Sequence, residues 1–321
     1  MNQYLNDLPN TLVNGLALGM MYALIALGYT LVYGILELIN FAHGDVFMLG
    51  GLFSWAVLQD LFGGPISDNY GVLTGGMLIA AFVVAFVVAM ASCGVVGFVI
   101  ERFAYRPLRG APKLAPLVTA IGVSFIIENA TLVWQIGTNN GAITYPSLIN
   151  PQYLHFLGLS VSNKSIIVFI AAPVLMLGLL YLVGSTKIGK AMRAAAQDPE
   201  AARMMGIDVN RVISFTFVVG SILAGAAGVI YGLYYNSIDY SIGFLAGLKA
   251  FTAAVLGGIG NIRGAMLGGL LVGEVEAVVS ALDASQGVGL QWAEPSVFAV
   301  LMCVLVFRPT GLLGAQVMDK A

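Results

Sequence analysis

Apolar residues along this chain come in long runs bounded by charges and turn residues. The runs fall near 8–36, 46–62, 74–100, 114–136, 165–184, 212–236, 246–260, 264–282 and 293–307. A helix that crosses a bilayer needs about 20 apolar residues, with a range of about 17–25. Most runs meet that length, 46–62 only just does, and 246–260 does not. Between Arg211 and Lys249 the sole charge is Asp239, which makes 212–236 a clear span. The pattern predicts an all-α, polytopic transmembrane helical bundle of about 8–9 membrane segments. It forms a single domain over 1–321, with short or broken helices near 40–62 and 246–260.

Composition supports lipid as the solvent. The chain is 59% hydrophobic and 9% charged, against about 45–50% apolar and about 25% charged in an ordinary soluble domain. Forty glycines suit close helix–helix approach in a bilayer. Cys93 and Cys303 both lie inside apolar runs and read as small packing residues rather than a disulfide or metal site. The first Lys or Arg is Arg102, so the first run lacks the positive start of a secretory signal and reads as a retained span.

Lys and Arg orient the bundle, because cytoplasmic loops collect them. Arg102, Arg106, Arg109 and Lys113 form one cluster, and Lys187, Lys190, Arg193, Arg203 and Arg211 another. Two spans separate the clusters, which puts them on one side. Counting onward adds Arg263, Arg308 and Lys320. Twelve of the fourteen basic residues then face the cytoplasm, with Lys164 and Lys249 the exceptions. The expected topology has the N-terminus outside and the C-terminus cytoplasmic. Trp134, Trp292, Tyr231, Tyr234, Tyr235 and Tyr240 fall near predicted outer span ends, where amphipathic rings prefer the interface. The one sizeable outer loop, 137–164, is long enough to help a partner dock.

Two segments stand out inside this apolar background. Asn40-Phe41-Ala42-His43-Gly44-Asp45 separates the first two runs, and Gly50-Gly51 interrupts the second. In the other half, residues 247–260 are again short and glycine-broken. Unpaired backbone groups in lipid cost several kcal/mol each, so such breaks survive only where protein or water covers them. Paired broken segments in two halves point to a transporter's midplane site. Plain explanations stand beside this one: a polar turn at 40–45, and glycines that merely let helices pack. Asn40, His43, Gly44, Asp45, Thr252 and Gly257 are the candidate pathway residues. A zwitterionic solute needs a donor for its carboxylate and an acceptor for its amine, and half-helix ends with unwound carbonyls can supply both.

Three carboxylates, Glu128, Glu274 and Glu276, lie within apolar runs. A charge at the bilayer centre costs at least about 2.5–3.5 kcal/mol, so each is expected to face the bundle interior, water or an interface. Glu274 and Glu276 sit roughly 200° apart on a helix and cannot share one cavity. One of them is expected to pair structurally, with Lys249 or Arg263. A proton relay is the other use for such groups.

The segment 187–211 predicts two short helices beyond the membrane. Asp198 fits an N-cap, Pro199 the first helical position, and Glu200 complements the positive helix end. Gly206 fits the stop. A short stiff helix between spans is suited to receive force from a soluble partner, and a surface-lying connector is the plain alternative. The chain has no GxxxxGK[ST] phosphate loop. With only His43 and His155 as histidines, it offers no nucleophile–base pair or metal cluster. An enzyme acting alone is therefore not expected.

Several motifs in order resemble the LivH-type permease subunits of bacterial branched-chain amino acid ABC transporters. They are GLALGMMYALIALGYTLVYGILELINFAHGDVFMLGG, IERFAYRPLRG, AMRAAAQDPEAARMMGIDVNRVISFTFVVGSILAGAAGV, GFLAGLKAFTAAVLGGIGNIRGAMLGGLLVGEVEA and RPTGLLG, and together they cover nearly the whole chain. The 195–207 stretch also resembles the coupling loop of many ABC importer permeases. It departs from the usual Glu-Ala-Ala opening by reading Ala194-Ala195-Ala196.

The resemblance implies a multi-pass bacterial inner-membrane permease with no cofactor of its own. It pairs with a second, LivM-like permease and with two ABC ATPase subunits that bind ATP and Mg, and it receives an amino acid from a periplasmic substrate-binding protein. Within 187–211, Ala195, Asp198, Pro199, Glu200, Ala201, Met204, Gly206 and Ile207 are the expected contact to the ATPase. The alternatives are a gradient-driven secondary amino acid carrier, an ABC permease for another small solute such as urea or amides, and a membrane scaffold that moves nothing.

Overall fold

The computed structural model describes residues 2–68, 75–112, 114–137, 143–146, 148–149, 152–156, 159–282 and 289–314. Lys113, Lys320 and parts of the 137–164 loop lie outside the described residues. The long helices are α1 (Asn2–Leu36), α2 (Ala42–Asp68), α3 (Gly75–Ile100), α4 (Leu114–Gly137) and α5 (Asn163–Ser185). Two short helices follow, α6 (Lys187–Gln197) and α7 (Pro199–Met204). The chain then forms α8 (Val209–Tyr235), α9 (Ile242–Gly257), α10 (Ile262–Ser280) and α11 (Leu290–Phe307). Every apolar run of the sequence coincides with one helix. Seven of the described helices are long and apolar enough to cross a membrane. The short apolar α9 and the charge-bearing α10, which holds Arg263, Glu274 and Glu276, complete the bundle.

Burial separates centre from rim. In the most apolar stretch of α1, 89% of residues are buried, and in that of α8 78%, against 17% in α4 and 11% in α11. The first two are therefore the core, and the last two present apolar faces to lipid, with Ile126, Val133, Met302 and Val306 exposed. Small residues let the central helices touch backbone to backbone. A Cβ on Gly50 of α2 would stand 2.5 Å from the Cα of Gly225 on α8, and one on Gly19 of α1 2.7 Å from the Cα of Leu270 on α10. Cys93 is buried and Cys303 exposed on the rim, and neither forms a disulfide.

Gly50-Gly51 does not interrupt α2, contrary to the sequence expectation. The helix runs unbroken from Ala42, and both glycines are contact points against α8. The break lies just before it, at 37–41, where Glu37 takes a left-handed φ of 53°. The second break also frames its helix rather than dividing it. Residues 236–241 are non-helical before α9, and Gly258 and Gly260 take φ values of 105° and 90° after it.

Short strands close one end of the bundle. β1 (Ile143–Thr144) pairs antiparallel with β4 (Ser237–Ile238), and β2 (Tyr153–Phe156) with β3 (Leu159–Ser162). Buried Tyr145 follows β1 and donates its hydroxyl hydrogen to Ser54 Oγ of α2 at 2.9 Å. Lys164 meets Asn236 at this same end.

Candidate functional site

The start of α2 lies deep in the bundle. His43 packs against Gly28, eight residues before the end of α1, and near Gly220, eleven residues into α8. At 1.5 Å per residue these offsets are roughly 12 and 16 Å along the helix axes. The start of α9 comes to the same place. A Cβ on Gly247 would stand 3.0 Å from the Cα of Gly44, and one on Gly243 2.7 Å from Asp45 Oδ1. The Ser241 side chain does not cap α9; Asp239 Oδ1 accepts from Ser241 N–H at 2.8 Å, and the Asp45 carboxylate stands beside Gly243 in the first turn, near the positive end of the helix. The start of α2 and the first turns of α9 thus face each other inside the bundle, with Tyr29 of α1 between them. The Tyr29 ring meets His43 edge-on at 4.9 Å and Phe251 of α9 at 6.1 Å.

The polar groups here are buried and under-satisfied. Asn40, His43, Asp45 and Thr252 are each 3% exposed or less. Neither Asp45 oxygen meets a donor in bonding geometry, although Ser124 of α4 stands beside it and half-buried Glu128 acts on it electrostatically. His43 Nε2, Thr252 Oγ1 and Thr30 Oγ1 also lack partners. A buried polar group without a hydrogen bond costs about 1–3 kcal/mol, and a charge costs more. Next to Thr30 a groove of about 80 Å³ opens toward α6, lined also by Gly34, Met192, Arg193, Ala196 and Gly260.

The structure brings Asn40, His43, Gly44 and Asp45 together at the start of α2, places buried Thr252 on α9 five residues past Gly247, and leaves Gly257 apart. Gly257 ends α9, fourteen residues beyond Gly243, where its carbonyl accepts from Leu313 N–H at 2.9 Å and its backbone packs on Gly264. The three carboxylates of the apolar runs also separate. Glu276 pairs with Lys249 at 2.7 Å and accepts from the Tyr22 hydroxyl at 2.8 Å, while Glu294 reaches the same lysine at 3.2 Å. Of the two expected structural partners, Lys249 is the one used. Glu274 lies over Gly15 with Oε2 unpartnered. Sequence reasoning missed Tyr29, Ser124 and Gly243, because an isolated Tyr, Ser or Gly in an apolar run carries no local signal.

The 187–211 segment folds as the two helices its caps predict. Asp198 accepts from the N–H groups of Glu200 (2.9 Å) and Ala201 (3.0 Å), and Pro199 occupies the first helical position. At the other end Gly206 takes a φ of 82°. Ile207 N–H bonds the Ala202 carbonyl and Gly206 N–H the Arg203 carbonyl, both at 3.0 Å, closing a Schellman stop. Ala195 of α6 and Ala202 of α7 are buried, whereas Asp198, Pro199, Glu200, Ala201 and Gly206 are exposed and Ile207 is half-buried. Met204 and Met205 are 88% and 82% exposed, an apolar pair on an otherwise polar knob. Arg109, beyond the end of α3, bonds Asn210 at the start of α8 and pairs with fully buried Glu101. Burial pulls the Arg109 guanidinium below its ordinary pKa, and the adjacent Glu101 opposes that shift.

Comparison with known proteins supplies the family. Residues 11–307 match the family described as "Branched-chain amino acid transport system / permease component". The chain is 42% identical over 313 residues to the high-affinity branched-chain amino acid transport system permease protein BraD of Pseudomonas aeruginosa, covering 96% of each chain. It is 42% identical over 312 residues to the corresponding LivH protein of Escherichia coli K12, with the same coverage. A probable branched-chain amino acid transport permease protein LivH of Methanocaldococcus jannaschii is 26% identical over 303 residues, covering 91% of this chain and 88% of that one. No solved structure matches. With long apolar helices, a match over nearly its whole length and relatives that are permeases rather than enzymes, the chain is a multi-pass inner-membrane protein and belongs to the branched-chain amino acid transport permease family.

Proposed function

We infer that the chain is the membrane-spanning subunit of an ABC importer for branched-chain or other hydrophobic amino acids. ATP and Mg are bound by two partner ATPase chains, a second LivM-like permease completes the passage, and a periplasmic binding protein delivers the substrate. The carrying observation is the knob at α7: a helix stopped and capped at both ends that holds two exposed methionines clear of the apolar spans. A connector between two spans does not need that stiffness, and a soluble surface with a hydrophobic groove would cover those methionines.

The topology that fits has α6, α7 and the 101–112 segment in the cytoplasm, with the N-terminus outside and the C-terminus inside. The Arg109–Asn210 contact supports it by putting both basic clusters at one end, and Lys164 beside Asn236 marks the opposite end. In that topology all nine apolar helices cross, α2 and α9 doing so partly as helix and partly as the extended segments beside them.

The substrate passes the meeting point of α2 and α9. Asp45 accepts from its ammonium group, the start of α9 and the first N–H groups of α2 attract its carboxylate, and Tyr29 with Phe251 offers an apolar wall. The groove beside Thr30 leads onward to the cytoplasmic end. Gly257 serves this site from a distance, as the joint that anchors the far end of α9.

Reconstitution tests the reading. Vesicles holding this chain, its sister permease and the ATPase pair accumulate labelled leucine only with ATP and the binding protein. Accumulation by this chain with no ATPase subunit present would instead make it a gradient-driven carrier.

A further inference from the structure

The α7 knob and the α2–α9 meeting point lie at different depths, and among the described residues α7 packs on α6 and α8. The bonds between them run through the last turns of the third span. There the chain leaves α-helical geometry. Glu101–Tyr105 forms a π turn, closed by Arg106 N–H on the Glu101 carbonyl, and Arg106–Leu108 tightens into a 3₁₀ turn holding Pro107. A π turn inside a helix costs regular hydrogen bonding and tends to survive where it aims a side chain for a purpose. Here it buries Glu101 and Tyr105 together, at 0% and 2% exposure, while Phe103 turns out to the rim at 75%.

Each buried side chain faces a different neighbour. Glu101 faces the first turns of α8, the element that follows the knob: Arg109 and Ser214 both bond its carboxylate, the latter at 2.6 Å, and Arg109 also holds Asn210, two residues after the Asp208 that caps α8. Tyr105 faces the intramembrane site. Its hydroxyl donates to Asn40 Oδ1 at 3.1 Å, with Ile39 O at 3.4 Å, so it grips the non-helical link three residues before His43. Its ring packs at a tilt on Phe217 of α8, with centroids 5.0 Å apart. About three turns earlier, a Cβ on Gly94 would stand 3.1 Å from Ile222, so α3 packs closely along the first half of α8. α8 and the π turn are thus joined by one chain of bonds. It reaches the link before α2 through the Tyr105 hydroxyl.

We propose that the π turn Glu101–Tyr105 is the mechanical relay of this permease, with Tyr105 the positioning residue that ties the coupling knob to the start of α2 through Asn40. The inference rests on the coupling reading of α7 given above. Tyr105 touches no substrate. It sets where the 37–41 link, and with it His43 and Asp45, stands in each state of the cycle.

The test is Tyr105→Phe in the complete reconstituted complex, with leucine transported per ATP hydrolysed as the readout. The ring and its packing on Phe217 remain, so assembly and ATP hydrolysis are expected within about twofold of wild type. The transport-to-hydrolysis ratio is expected to fall about fivefold, the size of one neutral hydrogen bond. Asn40→Ala is expected to lower the ratio as well, and the double variant to fall no further than the lower single variant. A merely structural tyrosine would lower assembly and leave the ratio of the surviving complexes alone. An unchanged ratio in Tyr105→Phe, or additive losses in the double variant, overturns the relay. Replacing Asp198–Glu200 by Gly-Ser-Gly in parallel separates the two levels of inference. If that knob variant uncouples and Tyr105→Phe does not, the relay alone fails. If neither uncouples, the coupling reading fails with it.

Discussion

The meeting point of α2 and α9 and the knob at α7 break opposite rules of folding. At the meeting point the polar side chains are themselves buried, yet Asp45, His43 Nε2 and Thr252 Oγ1 go without partners. At the knob the reverse holds. Asp198 and Gly206 satisfy the backbone at both helix ends, yet Met204 and Met205 face solvent. Each region leaves open what a partner of one chemistry would supply: polar contacts in the first, apolar cover in the second. A small polar solute fits the first deficit and a protein groove the second.

Lys249 gives the comparison its internal control, because its charge is buried like that of Asp45 but fully partnered. Lys249→Met strands Glu276 and half-exposed Glu294. It should cost about 3 kcal/mol of stability, toward the low end for breaking a buried pair, read as a lowered unfolding temperature in detergent. Asp45→Asn should do the opposite. Removing an unpartnered buried charge leaves stability unchanged or improved, while transport drops roughly 30-fold, or about 2 kcal/mol, for a lost charge-assisted contact. If Asp45→Asn unfolds the protein as Lys249→Met does, the contrast between the two sites disappears.

The knob is expected to respond in the other currency, partner binding rather than stability. Replacing Met204 and Met205 together by Asp should reduce co-purification of the ATPase about tenfold, or about 1.4 kcal/mol. The isolated permease should stay within about 0.5 kcal/mol of its original stability, as exposed positions usually do. Asp198→Ala is the mildest change. It loosens the first turn of α7 by about 1 kcal/mol, and transport per ATP should decline several-fold with the ATPase still bound.

The sequence made these two regions unequally legible. The knob was readable to the residue, because caps are local rules: Asp198 before Pro199 and a glycine at 206 specify start and stop without reference to the rest of the fold. The long spans were equally plain, since lipid demands continuous apolar helices. The meeting point was only half readable. Polar residues at 40–45 and glycines at 247–260 marked the places, but Gly50-Gly51 and Gly257 looked alike to the breaks and turned out to be packing joints, as only the approach of α8 and α10 reveals. Charge and helix phase showed that one of Glu274 and Glu276 would pair, with Lys249 or Arg263; only the structure shows that the pair is Glu276 with Lys249. The π turn was not, because nothing in Glu101–Tyr105 distinguishes it from one more turn of α3 until Arg109 and Asn40 are seen on its two sides.

The most direct test compares leucine accumulation with ATP hydrolysis in vesicles holding the full complex, with Asp198–Glu200 either intact or replaced by Gly-Ser-Gly. A stiff α7 that passes force to the α2–α9 meeting point predicts continued hydrolysis with leucine uptake per ATP reduced at least tenfold. Uptake per ATP equal to that of the intact chain would contradict it.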